Sequence, residues 1–405
     1  MRPADFRQRP VVYLHLGAPK TGTTYLQGVL SHNRDALRHD GLLYPGARHT
    51  SHFLAAQDLL RIPFNGYEDP DVAGAWGRLV EEVRSTGGSA LISQELFALA
   101  SAEDADRAMD ALSFAEVHVI YTIRDLARQI PSVWQEDLKN RHALSFAEFV
   151  RGLRGDDAQP HGLIELFWRL QDPVDVLRRW GGQVPPERVH VVTVPARGSG
   201  SGLWERFAHT IGIDAGRYET DVPEAANRSL GVVEANLLRR LNPVLAGELD
   251  WPTYEQWVKG FLATSALVER DGLIPIMLPA VEYGWVLERS KRFVMDLADA
   301  GYDVIGDLGE ILPACPADDG VHRHPDDASD AEQLDAAADA MAGLIRRLGK
   351  PPPARPIPTP LPDEPTTLFR LGAQQLSHRH ASVMWLRRLY RLGKRGISRM
   401  RGVAR

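Results

Sequence analysis

The chain encodes an α/β protein, a three-layer α/β/α sandwich around a central parallel sheet, with helical insertions and a basic helical tail. Three observations lead to that class. Short β-branched runs at Val11–Leu16, Ser89–Ser93, Val117–Ile123 and Arg188–Val194 read as strands. Stretches of helical spacing separate them, the alternation that parallel sheets require. The first strand runs into a Gly/Pro turn and then a helix.

The elements follow in order. After Val11–Leu16, a helix is expected from Thr24 to about Leu37. Residues 45–75, rich in Gly, Pro, His and Asn, read as a loop region facing substrate. Ala75–Ser85 has helical spacing and Ser89–Ser93 is a short apolar strand. Val117–Ile123 alternates along its length. Leu126–Lys139 continues as a helix that Pro131 is expected to distort. Phe146–Leu153 and Ile164–Trp180 carry helical spacing, and Arg188–Val194 is an apolar strand. Trp204–Ile211 and Leu230–Leu241 read as helices, with Ser229 a cap for the latter. Glu282–Ala300 and Asp330–Leu348 are long amphipathic helices. Leu334, Met341, Leu344, Ile345 and Leu348 share one stripe of the second.

A chain of 405 residues exceeds the usual single-domain size. The expected division is an α/β domain over 1–350, a linker over 351–365 and a basic amphipathic tail over 366–405. Eight prolines between Pro351 and Pro365 make the linker extended. Charge is unevenly spread. The ten Lys/Arg beyond Glu364, with no acid among them, leave the preceding residues with 37 bases against 53 acids, a net −16. In the tail, Leu386, Leu389, Tyr390, Gly393, Ile397 and Met400 share a face flanked by arginines. That pattern suits an interfacial helix on anionic lipid over residues 383–405. A solvated tail, or a helix docked on the acidic body, are the alternatives.

Composition excludes several classes. Cys315 is the single cysteine, so neither an intrachain disulfide nor a CxxC redox motif is available. The 14 histidines do not fall at ligand spacing, and no metal is expected. The acidic body argues against specific nucleic-acid binding. Met1–Pro10 lacks the apolar core of a secretory signal, and no run approaches the roughly 20 apolar residues that span a bilayer. The expected location is the cytoplasm, with peripheral contact on the inner face of the membrane.

The most informative segment is Gly17-Ala18-Pro19-Lys20-Thr21-Gly22-Thr23-Thr24-Tyr25. A strand, a Gly-rich turn and a helix start together aim backbone N–H groups at an anion. Gly17, Gly22 and Thr24 keep Walker A spacing, but Thr23 stands where the Walker lysine belongs, and Lys20 comes three residues early. The loop is P-loop-like without being built for a nucleoside triphosphate and magnesium. A second constellation follows the strand ending at Ile123. Arg124 offers a planar charged fork for phosphate oxygens, and Ser132, eight residues on, adds a neutral donor.

Pro19–Tyr25 resembles the 5′-phosphosulfate loop of sulfotransferases that use 3′-phosphoadenosine 5′-phosphosulfate (PAPS), including bacterial sulfotransferase-like proteins. The resemblance implies that Lys20 contacts the phosphosulfate and that Thr21, Gly22, Thr23 and Thr24 wrap it. Tyr25 stands where the family usually has an adenine-stacking Trp. Arg124 and Ser132 resemble the family's 3′-phosphate pair. Glu95, just past the strand Ser89–Ser93, resembles the Glu base of carbohydrate-acting members, with His49 and His52 as fallback bases. Asn227-Arg228-Ser229 resembles a late segment near the nucleotide, which would put Arg228 by the 3′-phosphate. The implied activity is sulfuryl transfer from PAPS to a hydroxyl of a carbohydrate or glycolipid, with Lys20 and Glu95 catalytic. A small-molecule kinase and a non-catalytic nucleotide- or polyanion-binding protein docked on membrane are the rivals.

Overall fold

The computed structural model describes residues 9–156, 161–182, 184–195, 202–222, 229–314 and 323–349. The chain forms two compact units, 1–339 and 340–405. Of the second, the described part is the end of one helix. The linker and tail expected over 351–405 lie outside the described residues, as does Cys315.

The chain begins with β1 (Val11–His15), α1 (Thr23–His32), α2 (Arg34–His39), β2 (Leu42–Leu43), α3 (Ser51–Leu60), α4 (Ala75–Thr86), β3 (Ser89–Ser93), α5 (Ala102–Ala111) and β4 (Glu116–Ile123). Next come α6 (Leu126–Lys139), α7 (Phe146–Arg154), α8 (Gly162–Gln171), α9 (Pro173–Gly181), β5 (Val189–Thr193), α10 (Leu203–Thr210) and α11 (Val232–Leu245). The rest comprises α12 (Trp251–Tyr254), a π-helical segment (Glu255–Ala266), α13 (Tyr283–Asp299), β6 (Asp303–Ile305) and α14 (Asp330–Gly349).

All strand pairings are parallel, in the order β2-β3-β1-β4-β5-β6. The expected α/β sandwich with a central parallel sheet is therefore what the chain forms. β5, nearly all of β3 and the second half of β4 are buried on both faces, which is why they read as near-continuous apolar runs. One face carries Tyr13, Leu91, Ile120 and Val192 against Leu26, Val29 and Leu30 of α1 and Trp204 and Phe207 of α10. The other face turns Tyr121 toward α8, where its hydroxyl donates to the Leu170 carbonyl at 2.8 Å. The chain leaves β1 toward β2 on one side and leaves β4 toward β5 on the other. The gap between the C-terminal ends of β1 and β4 is a topological switch point, where open sheets of this kind place ligands.

Several local expectations are corrected. The helix expected from Thr24 to Leu37 breaks at Asn33 into α1 and α2. The region expected to be loop over 45–75 contains α3, whose buried Leu54, Leu59 and Leu60 give it a core face. Ile164–Trp180 divides at Asp172, which caps α9 and precedes Pro173 in its first position. Proline is well suited to that first position, and its neighbour is pushed out of the helical region. Ser229 does not cap α11; Gly231 holds the cap position, with no side-chain bond. Pro131 removes one backbone donor, yet α6 runs unbroken through it. On α14, Leu334 of the expected stripe is 67% exposed, whereas Gln333 and Ala336 are buried. No described helix is long and apolar enough to cross a membrane.

Candidate functional site

The loop after β1 is held by its neighbours rather than by its own length. Ala18 N–H donates to the Thr122 carbonyl and Thr122 N–H to the Gly17 carbonyl, at 2.9 and 2.6 Å. The Thr21 hydroxyl donates to the Ala18 carbonyl at 2.6 Å and touches the Thr122 hydroxyl. Gly17 (φ 94°) and Gly22 (φ 91°) take left-handed conformations. A Cβ at Gly17 would lie 2.9 Å from Glu95 Cβ, and one at Gly22 would overlap Leu203 Cδ2. The two glycines therefore turn the chain and let flanking elements close on it. Thr23 is buried and begins α1, and Thr24 beside it is exposed. Beneath the loop lies His15, fully buried, with Nδ1 2.8 Å from Ser93 Oγ and Nε2 3.4 Å from Thr122 Oγ1. Burial lowers its pKa to about 3, so the ring is neutral.

Glu95 stands where β3 ends, half-buried, against the loop. Burial raises its carboxyl pKa, opposed by the Thr23 hydroxyl, the Lys20 ammonium and Gln27. Gln27 Nε2 donates to Glu95 Oε2 at 3.3 Å. The structure thus brings Glu95, Thr23 and Lys20 together, and among the opposing influences on Glu95 burial wins. A raised carboxyl pKa is a common property of general bases and acids.

His52 does not sit as a base. Its Nδ1 accepts from the Ser93 N–H at 3.1 Å and Nε2 faces the Pro45 carbonyl at 2.8 Å, so both nitrogens are engaged. Burial lowers its pKa to about 4. It joins α3 to the end of β3. His49 is exposed on the same side.

Arg124 and Ser132 are brought together. Arg124 Nη2 donates to Ser132 Oγ and to the Arg128 carbonyl, both at 2.8 Å, and Nε donates to Gln129 Oε1 at 3.0 Å. One turn and a half of α6 thus frames one guanidinium. Burial, with Arg128 adding, lowers the Arg124 pKa to about 10, still charged at neutral pH. Buried Gln129 links the two halves of the site, because its Nε2 donates to the Pro19 carbonyl while its Oε1 holds Arg124.

Lys20 (φ 67°) pairs with Glu136 Oε2 at 3.1 Å, and Lys259 from the π-helical segment takes Oε1 at 2.8 Å. Burial would raise the Glu136 pKa, yet Lys20, Lys259 and Lys139 hold it well below the usual carboxylate range. Burial lowers Lys139 to about 8, opposed by Glu136, and burial together with Glu136 pushes Asp137 up to about 8. Near neutral pH the cluster therefore carries more positive than negative charge. Tyr25 packs beside the α1–α10 core, and its hydroxyl bonds Thr220. Arg228 lies outside the described residues.

Sequence reasoning missed His15, Gln129, Glu136, Lys139 and Lys259. Glu136 had a signal, since Arg128, Ser132 and Glu136 recur at four-residue spacing on α6. Lys259 had none, because only the tertiary fold carries it to Glu136. Among the described residues, no group of three or more His, Cys, Asp or Glu is placed to hold a metal ion.

No protein-family model matches the chain, and no curated protein matches it. Among solved structures, a sulfotransferase from Alicyclobacillus acidocaldarius is similar at 18% identity, covering 61% of this chain and 99% of its own, with a TM-score of 0.34.

Proposed function

We propose that the protein is a sulfotransferase that moves a sulfuryl group from PAPS to a hydroxyl of a carbohydrate or glycolipid. One observation carries the reading. Two anion-binding constellations, Lys20 in its Gly-turned loop and Arg124 with Ser132, flank one switch point and are joined by Gln129. A nucleotide with anionic groups at both 5′ and 3′ positions fits two such sites. Thr21, Gly22, Thr23 and Thr24 supply the loop that wraps the 5′ end, and Tyr25 and Arg228 are carried as adenine and 3′-phosphate contacts.

In the proposed step the acceptor oxygen attacks sulfur while the bond from sulfur to the bridging oxygen of the 5′-phosphate breaks. Lys20 balances charge growing on the leaving phosphate. Glu95 takes the acceptor proton. A kinase is disfavoured because Thr23 stands at the Walker lysine position and the loop's lysine, Lys20, comes three residues early. The tail over 383–405 is proposed to rest on anionic membrane from the cytoplasmic side.

Calorimetry with 3′-phosphoadenosine 5′-phosphate, the expected product, tests the donor, with ATP–Mg in parallel. Micromolar product binding is expected, weakened roughly 100-fold in Arg124→Ala by loss of about 3 kcal/mol of charged hydrogen bonding. Preference for ATP–Mg would overturn the reading. Turnover assays of Lys20→Ala then separate an enzyme, which loses rate, from a vestigial binder, which loses affinity alone.

A further inference from the structure

A narrow cleft opens beside Glu95, between α1, α2 and the end of β3. Its walls are Gln27, Ser31, Arg34, Tyr44, His52 and Gln94, and no carboxylate lines it. Arg34 is the unusual member. Its Nε is buried without a hydrogen-bond partner, and among the described residues it forms no ion pair. Its guanidinium lies 5.4 Å from the Tyr44 ring centroid, which fixes the plane without satisfying its N–H groups. Buried unsatisfied donors are rare, and each needs a reason.

The rest of the cleft has the same polarity. Gln94 spends its side-chain oxygen on the Leu96 N–H at 3.4 Å, which leaves the amide NH2 without a partner among the described residues. His52 is committed to Pro45 and Ser93 and adds no negative charge. At the mouth stand His49 and Arg48, the latter paired with Asp71 at 2.7 Å. Gln27 forms part of the wall and reaches Glu95 Oε2 at 3.3 Å. The cleft therefore presents the planar, permanently charged fork of Arg34, with no ion-pair partner among the described residues, and Gln27 in the same wall reaches the proposed base. Such a fork matches a carboxylate or ester oxyanion in two parallel hydrogen bonds.

We infer that this cleft seats an oxyanion carried by the acceptor, which makes the acceptor an acidic molecule and Arg34 its specificity determinant. The inference rests on the reading of Glu95 as the base, since it is the nearness of the cleft to Glu95 that ties it to the acceptor. Free oxyanions share the chemistry, so the test separates them from an acceptor-borne group.

The full chain, labelled with 15N, is titrated with methyl β-D-glucuronide, methyl β-D-glucoside and acetate at matched ionic strength. The reporter is the Arg34 Nε–H resonance, assigned by its loss in Arg34→Lys. The glucuronide is expected to move it along a saturable curve about tenfold tighter than either other probe. Arg34→Gln is expected to abolish the same curve at the Gln94 side-chain amide while product-nucleotide binding stays intact. Absence of a saturable shift, equal binding of the glucoside, or acetate binding as tightly as the glucuronide each overturns the proposal. The titration is run with and without 3′-phosphoadenosine 5′-phosphate. Failure of the nucleotide to bind overturns the donor reading, and the nucleotide-free titration still decides the cleft.

Discussion

Lys20 is the cation of the loop, and the resting structure holds it on a carboxylate. Glu136 binds it at 3.1 Å and Lys259 at 2.8 Å, with Lys139 close enough to act on all three. On the proposed reading a donor anion draws Lys20 from Glu136, so part of its binding energy goes into breaking that pair. Glu136→Gln tests the trade. The substitution leaves two or three lysines facing each other in a half-buried site, at a cost of roughly 1–3 kcal/mol. A lower melting temperature is expected by calorimetry, together with about tenfold tighter binding of 3′-phosphoadenosine 5′-phosphate as the local field turns more positive. Unchanged nucleotide affinity would mean that Lys20 is not in competition. The Arg34 prediction belongs to the same scale, because there too a single cation is proposed to decide what binds.

α6 is the element that assembles the site. Asp125 caps it by accepting from the Arg128 N–H at 2.9 Å and also pairs with the Arg128 side chain. Arg124 immediately precedes this cap, and its partners Arg128, Gln129 and Ser132 occupy the first two turns. Fraying of those turns would release Arg124. Asp125→Ala is expected to cost about 1 kcal/mol of stability, read as a lower urea midpoint, and to weaken product-nucleotide binding several-fold. Asp125→Asn retains the cap while losing the charge, so near wild-type binding is expected from it. Equal damage from both variants would assign the effect to the ion pair with Arg128 instead. Ser132 and Glu136 lie on one face of this helix four residues apart. The same helix thereby meets the Arg124 guanidinium at one turn and the lysine cluster at the next.

At the scale of the whole molecule, the parallel sheet brings three strand ends to one edge and stitches them with neutral imidazole. His15 spans Ser93 and Thr122 from the end of β1, and His52 ties α3 to Ser93. Their folded pKa values, about 3 and about 4, lie below the usual 6.5. The unfolded chain therefore binds protons at higher pH than the folded one. Their contribution to stability is fully present above pH 6.5 and is lost as pH falls toward 4 and then 3. Each histidine adds up to about 1.4 kcal/mol per pH unit within that window. Unfolding free energies of wild type and His15→Gln, measured from pH 7 to 5, are expected to differ in slope by about one proton. Parallel slopes would show that His15 protonates normally.

The sequence alone determined the sheet class, the loop after β1 and the Arg124–Ser132 spacing. These are local properties, since strand periodicity, glycine conformations and helical offsets act over a dozen residues or fewer. The place of Glu95 at the end of a buried strand was legible as well, whereas its reading as a base rests on the family resemblance. Tertiary structure alone decided how those groups are tuned. The sharing of Glu136 between Lys20 and Lys259 joins residues separated by more than a hundred positions, and no spacing rule reaches that far. Burial decided that Glu95 is raised and that His52 is a strut, and packing left Arg34 Nε without a partner among the described residues. Desolvation depends on everything packed around a group, and it becomes defined only when the chain has folded.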